Sequence, residues 1–166
     1  MGIITSNYFS DKELYISNTA KKNGIDNTPS DEAWKNLYAL RDNILNPARE
    51  ELGSCIYINC AYRCPKVNSL VGGVANSQHT TGQAADITTK SIEKNKELFE
   101  IIVKQGLFDQ LIWEGNGSWI HVSYSNKKRG QLLAQIIMED IPILLTIGKN
   151  IYLKNIFIWK ISTKVY

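Results

Sequence analysis

The chain of 166 residues holds two histidines, and both lie in unusual surroundings. His79 stands in Ser77-Gln78-His79-Thr80-Thr81-Gly82-Gln83-Ala84-Ala85-Asp86-Ile87, where Asp86 follows seven residues later among small and polar side chains. Gly82 and the two alanines allow close approach of backbone and ligands. His121 is centred in Trp119-Ile120-His121-Val122-Ser123, whose alternation predicts a strand with Trp119, His121 and Ser123 on one face. Two imidazoles and one carboxylate, with a fourth position open, form the donor set of a catalytic zinc site. One zinc ion held there would acidify water to a pKa of roughly 7. Each residue alone is more simply read as a loop histidine, a turn-capping aspartate and a satisfied core histidine. Their concurrence in so histidine-poor a chain favours the metal reading.

A hydrolytic metal site also needs a base and an anchor for substrate. Glu114 is the candidate base. It ends a predicted strand, Phe108–Glu114, joined by Gly115-Asn116-Gly117-Ser118 to the strand of His121, and it shares a face with Phe108, Gln110 and Ile112. Asp109 points the other way and is the weaker candidate. Spacing alone fits an exposed strand-end acid at 114 equally well. Arg63 closes another predicted strand, just before Cys64-Pro65, and its planar fork suits a carboxylate or a polarised carbonyl. A surface salt bridge is the competing reading.

These residues need a scaffold. Ser10 with Glu13 forms a capping box, so a short helix is expected from Asp11, followed by a polar loop from Asn18 to Asn27. Ser30 caps a longer helix whose buried face is Trp34, Leu37, Tyr38, Ile44 and Leu45. Pro47 kinks it or opens a new turn, and Gly53 ends it. A strand is expected over Ile56–Arg63, then a short helix from Pro65 to Val71. Residues 74–90 look too irregular for a core element. A helix carrying Leu98, Phe99, Ile101, Ile102 and Val103 ends at Gly106. Ile151–Leu153 and Ile156–Ile161 read as short strands in a tail of uncertain structure. Helices precede strands, so the expected class is α+β: a single domain, 1–166, with N-terminal helices packed on a small antiparallel sheet.

Bulk properties narrow the partners. The net charge is +3, with seven Lys/Arg against two acids in residues 127–166. A basic tail can rest on an anionic polymer, but a solvated rim is the simpler reading. No basic helix or basic–aromatic motif points to nucleic acid. Cys55, Cys60 and Cys64 are an odd count and fit free thiols better than a disulfide framework. The apolar run Ile141–Ile147 contains Pro142 and is too short to span a bilayer, so membrane insertion is not expected. Met1–Asn7 has no basic segment followed by an apolar one, so synthesis in a cytoplasm without a secretory signal is expected.

The same residues resemble the zinc D-Ala-D-Ala carboxypeptidase family of peptidoglycan peptidases, in its phage and bacterial branch with a compact, hedgehog-like domain. The signature S-x-H-x-x-G-x-A-x-D stands intact as Ser77, His79, Gly82, Ala84 and Asp86. Gly24–Pro29, Tyr62–Asn68, Val71–His79, Phe108–Glu114 and Trp119–Tyr124 extend the likeness over about residues 7–130. The resemblance implies His79, Asp86 and His121 as ligands of one zinc. It implies Arg63 as the arginine holding a substrate carbonyl or terminal carboxylate. Ser77, Gln78 and Trp119 are expected to meet substrate, although Gln78 could only shape its loop. Two departures stand out. Many members carry the catalytic Glu three residues before the second histidine, where this chain has Ser118, while Glu114 matches the metal-adjacent glutamate of hedgehog domains. Cys60-Ala61 replaces a common Ser-Gly. The implied protein is a monomeric zinc peptidase cutting stem peptides or cross-links, as carboxypeptidase or endopeptidase. It would reach the wall by release, as a phage or prophage endolysin does. The alternative is a non-catalytic zinc-containing binding or structural module.

Overall fold

Serine stands at the N-terminus of four of the described α-helices. The computed structural model describes residues 7–138 and 141–146. Ser10 and Glu13 form the expected capping box at α1 (Asp11–Tyr15). Ser30 Oγ accepts the Ala33 N–H at the start of α3 (Asp31–Leu40), whose first turn carries Asp31 and Glu32 at the positive end of the helix. Ser91 caps α6 (Ile92–Gln105) in the same way, and Gly106 ends it in the left-handed region. Between Ser10 and Ser30 the expected loop contains a further helix, α2 (Asn18–Lys22), capped by Ser17.

Pro47 lies in the first turn of a new helix, one of the two outcomes expected for it. α3 passes through a π-helical turn, Arg41–Leu45, into α4 (Asn46–Leu52). Proline lacks the N–H that would bond the carbonyl four residues back, and its ring crowds that carbonyl. The wider turn absorbs this, with Asn46 N–H reaching back five residues to Arg41.

The sheet has six strands in the order β1-β2-β4-β3-β5-β6. They are β1 (Tyr57–Cys60), β2 (Ala84–Thr88), β3 (Gln110–Glu114), β4 (Trp119–Ser123), β5 (Gln131–Met138) and β6 (Ile141–Thr146). All pairings are antiparallel except β3 with β5, so the sheet is mixed. The molecule is therefore α+β as expected, with one parallel pairing added. Residues 74–90, expected to be irregular, contain α5's following loop, a 3₁₀ turn (Gln78–Thr81) and the inner strand β2; α5 itself spans Pro65–Leu70. The short strands expected at Ile151–Leu153 and Ile156–Ile161 lie outside the described residues.

The core joins Leu37, Leu40, Ile44 and Leu45 of the long helical run to Leu98, Phe99 and Ile102 of α6 and to Ile87, Leu111, Ile120 and Val122 of the sheet. Each fully buried Leu, Ile or Phe contributes about 1.5–3 kcal/mol by leaving water. Among the described residues no helix is long and apolar enough to cross a membrane. The three cysteines are free.

Candidate metal centre

Two neighbouring strands and one turn bring the chemistry together. In the register of β2 and β4, Asp86 lies opposite His121. His79 comes from the 3₁₀ turn that leads into β2 and is only 2% exposed. Gly82 ends that turn at φ +73°, and a Cβ there would lie 2.4 Å from the Ala33 carbonyl oxygen of α3. Glycine is thus required twice over, by backbone conformation and by the contact that seats the histidine turn on the helix.

His79 Nδ1 lies 2.6 Å from the Ala61 carbonyl oxygen. A carbonyl only accepts, so Nδ1 carries the proton and Nε2 presents its lone pair to the centre. Nε2 lies 3.2 Å from His121 Nδ1 and 3.3 Å from Asp86 Oδ1, and the last two atoms are 2.9 Å apart. The three potential ligand atoms therefore form a nearly equilateral triangle. Bonds of about 2.0–2.1 Å at tetrahedral angles separate zinc ligands by about 3.3 Å. The triangle fits such an ion, and three protein ligands leave a fourth position for water or substrate. Burial disfavours the charge on Asp86, but the hydrogen bond from His121 and the nearness of both imidazoles outweigh it and hold the carboxyl well below the usual range.

The triangle opens on a cleft of about 770 Å³. Gln110, Ile112 and Glu114 of β3 line it, which is the face expected from alternation. Glu114 is raised from the ordinary carboxylate value by burial first and then by the nearby charge of Asp86, against the opposing pull of His121 and of the Trp119 hydrogen bond. Trp119 Nε1–H donates to Glu114 Oε2 at 2.6 Å. Trp119, expected at the substrate, is absent from the cleft lining. Its ring instead covers Gly115, where a Cβ would come within 2.2 Å of it. Arg63 lines the cleft with a buried Nε that has no hydrogen-bond partner. Ser77 also lines the cleft, and its hydroxyl does not cap its own turn. Gln78 is pinned: its Nε2 donates to Asp109 Oδ2 at 2.9 Å.

Asp109 is 1% exposed. Its carboxylate accepts Arg129 N–H at 2.9 Å and Nη2 at 2.7 Å, besides Gln78. Burial opposes ionisation, and the Arg129 bonds overcome it, keeping the carboxyl well below its ordinary value. It is committed to holding the cleft wall, a role not read from the sequence. Two buried asparagines are further positioning residues. Asn27 brackets Arg63, donating to Tyr62 O at 3.2 Å and accepting Cys64 N–H at 2.8 Å. Asn95 of α6 donates to Gly117 O at 2.8 Å and Ser118 O at 3.1 Å, fixing the turn between Glu114 and Trp119. Asn27 lies within the Gly24–Pro29 stretch of the family likeness without being singled out there, and nothing in the sequence separates Asn95 from an ordinary helix-surface residue.

An α+β fold with a two-histidine, one-carboxylate centre open to a cleft is that of a metallohydrolase. The family model described as Peptidase M15 matches residues 7–123, well over half of the chain, and the chain belongs to that family. Its members are zinc-dependent peptidases, so this protein is a metallopeptidase. No curated protein matches the chain.

Proposed function

We propose that the protein is a zinc peptidase that hydrolyses peptide bonds in the stem peptides or cross-links of peptidoglycan, acting on the wall after release in the manner of a lysin. The observation that carries this reading is the sharing of one cleft by the His79–Asp86–His121 triangle, Glu114 and Arg63. Held by that triangle, zinc would polarise the scissile carbonyl and acidify a water molecule.

Glu114 takes the proton from the attacking water and delivers it to the leaving amine. A carboxyl raised by burial is suited to both, because it accepts a proton more readily than an ordinary carboxylate does and can still pass it to a more basic amine. Trp119 holds Oε2, leaving Oε1 for the water. The unpartnered Arg63 Nε offers a donor to the substrate's carbonyl or terminal carboxylate, and binding substrate relieves its buried, unmade hydrogen bond. The Ser77 hydroxyl lines the cleft as a further donor or acceptor.

Mass spectrometry of muropeptides after digestion tests the reading and identifies the bond. Chelation should abolish release of products and zinc restore it. Glu114→Gln should bind one zinc per chain and lose about 10²–10⁴-fold in rate. Full activity of metal-free protein, or of Glu114→Gln, would overturn the proposal.

A further inference from the structure

Arg129 is built into the cleft by a network that the hydrolytic steps do not use. Its Nε lies 3.1 Å from each oxygen of Asp109, and its Nη2 serves Asp109 at 2.7 Å and Gln78 Oε1 at 3.4 Å. Nη1 has only Gln131 Oε1, at 3.5 Å, and that oxygen already accepts from Gln110 at 2.7 Å. One end of the guanidinium is thus locked by a buried carboxylate. The other end keeps donors to spare on a side chain 47% exposed.

Charge points the same way. Arg63, Lys127 and Arg129 line the cleft against Asp86, Asp109 and Glu114. A divalent ion at the triangle leaves the cleft with a surplus of positive charge. Among the described residues neither Arg63 nor Lys127 has a carboxylate in ion-pair contact. Planar N–H donors beside a second cation suit a carboxylate.

We infer that Arg129 is a specificity-determining residue that binds a substrate carboxylate distinct from the group met by Arg63, with Asp109 as its positioning residue. The preferred peptide is then acidic, with a free carboxylate besides the one at its end. The inference rests on the peptidase reading for the nature of the ligand. Asp109 acts by fixing the fork: without it the guanidinium loses its orientation, and a long exposed side chain must be ordered anew for each binding event.

The test uses full-length, zinc-loaded Glu114→Gln protein and two stem-type peptides that differ by one internal carboxylate replaced by its carboxamide. Calorimetry should show the carboxylate peptide bound about tenfold more tightly, the size expected of one partly exposed charge-assisted hydrogen bond. Adding Arg129→Gln should bring the ratio close to one. Arg129→Lys, which keeps the charge without the fork, should give an intermediate ratio, as should Asp109→Asn, and it serves where Arg129→Gln does not fold. A merely structural residue would weaken both peptides alike. An unchanged ratio in Arg129→Gln, or no preference in the parent, overturns the inference. If Glu114-containing enzyme cleaves neither peptide while the preference persists, the peptidase reading fails and this one stands. Cleavage of both without preference has the reverse meaning.

Discussion

At the scale of single residues, the hydrogen bond from Trp119 to Glu114 separates two jobs that lie close in sequence. Trp119 lowers the carboxyl's affinity for a proton, while burial and Asp86 raise it. Trp119→Phe keeps the ring over Gly115 and removes the donor. Glu114 then holds its proton to higher pH, so the acidic limb of the pH–rate profile should move upward, with activity recovered on the alkaline side. An acidic limb that does not move would mean that Glu114 is not the base. A second residue-scale prediction concerns thiols. Burial, helped by the charge of Asp86 and opposed by Arg63, pushes the Cys60 thiol up to about 11. Cys55 is exposed. Since the thiolate is the nucleophile, iodoacetamide at pH 8 should label Cys55 and leave Cys60 unmodified by peptide mapping.

At the scale of elements, the centre is held by contacts whose partners are far apart in sequence. Gly82 joins the histidine turn to α3, and Gly82→Ala places a Cβ 2.4 Å from a backbone oxygen at a positive φ. The cost should be about 3 kcal/mol, which in a chain of this size lowers Tm by roughly 6–12 °C. Asn95→Ala leaves the Thr89 N–H and the Gly117 and Ser118 carbonyls without their side-chain partner. A similar loss of stability is expected, with kcat down about tenfold because the turn that sets Glu114 loosens. Wild-type kcat in Asn95→Ala would show that this fastening is irrelevant to the chemistry. These elements differ in how far the sequence reveals them. Ser10, Ser30, Gly53 and Gly106 mark helix ends by local chemistry, and each is where the structure has one. β2 was not visible because Ala84-Ala85-Asp86-Ile87-Thr88 lacks the bulky alternation of a strand; it needs none, being covered on both sides by neighbours that bury both alanines completely. α2 buries Ala20 alone, too little for a helical period to register. The parallel pairing of β5 with β3 is a non-local choice that turn residues do not encode. The convergence of His79, Asp86 and His121 was legible because histidine is scarce here, whereas the Asp109–Arg129 pair joins common residues twenty positions apart.

At the scale of the whole molecule, metal and proton act on the same architecture. His121 and Asp86 belong to adjacent strands, and His79 belongs to a turn seated on the long helical run. An ion shared by all three would tie the helical layer to the sheet and would bind only when they are assembled. Zinc at about 1,000 times its dissociation constant therefore adds about 4 kcal/mol, and its removal by chelator should lower Tm by roughly 8–16 °C. Acid acts on the apoprotein through its depressed carboxyls. Asp109 binds its proton less readily folded than unfolded, because Arg129 holds its charge. Its contribution is thus fully present above the unfolded value of about 4 and drains away as pH falls below it. Asp109→Asn removes that dependence, so the difference in stability between the metal-free parent and variant should be largest at neutral pH and shrink from pH 4 downward. Urea midpoints measured on both apoproteins across that range decide it. A gap that stays constant to pH 2 would mean that the buried Asp109–Arg129 pair is not what fastens the loop of residues 124–130 to the cleft.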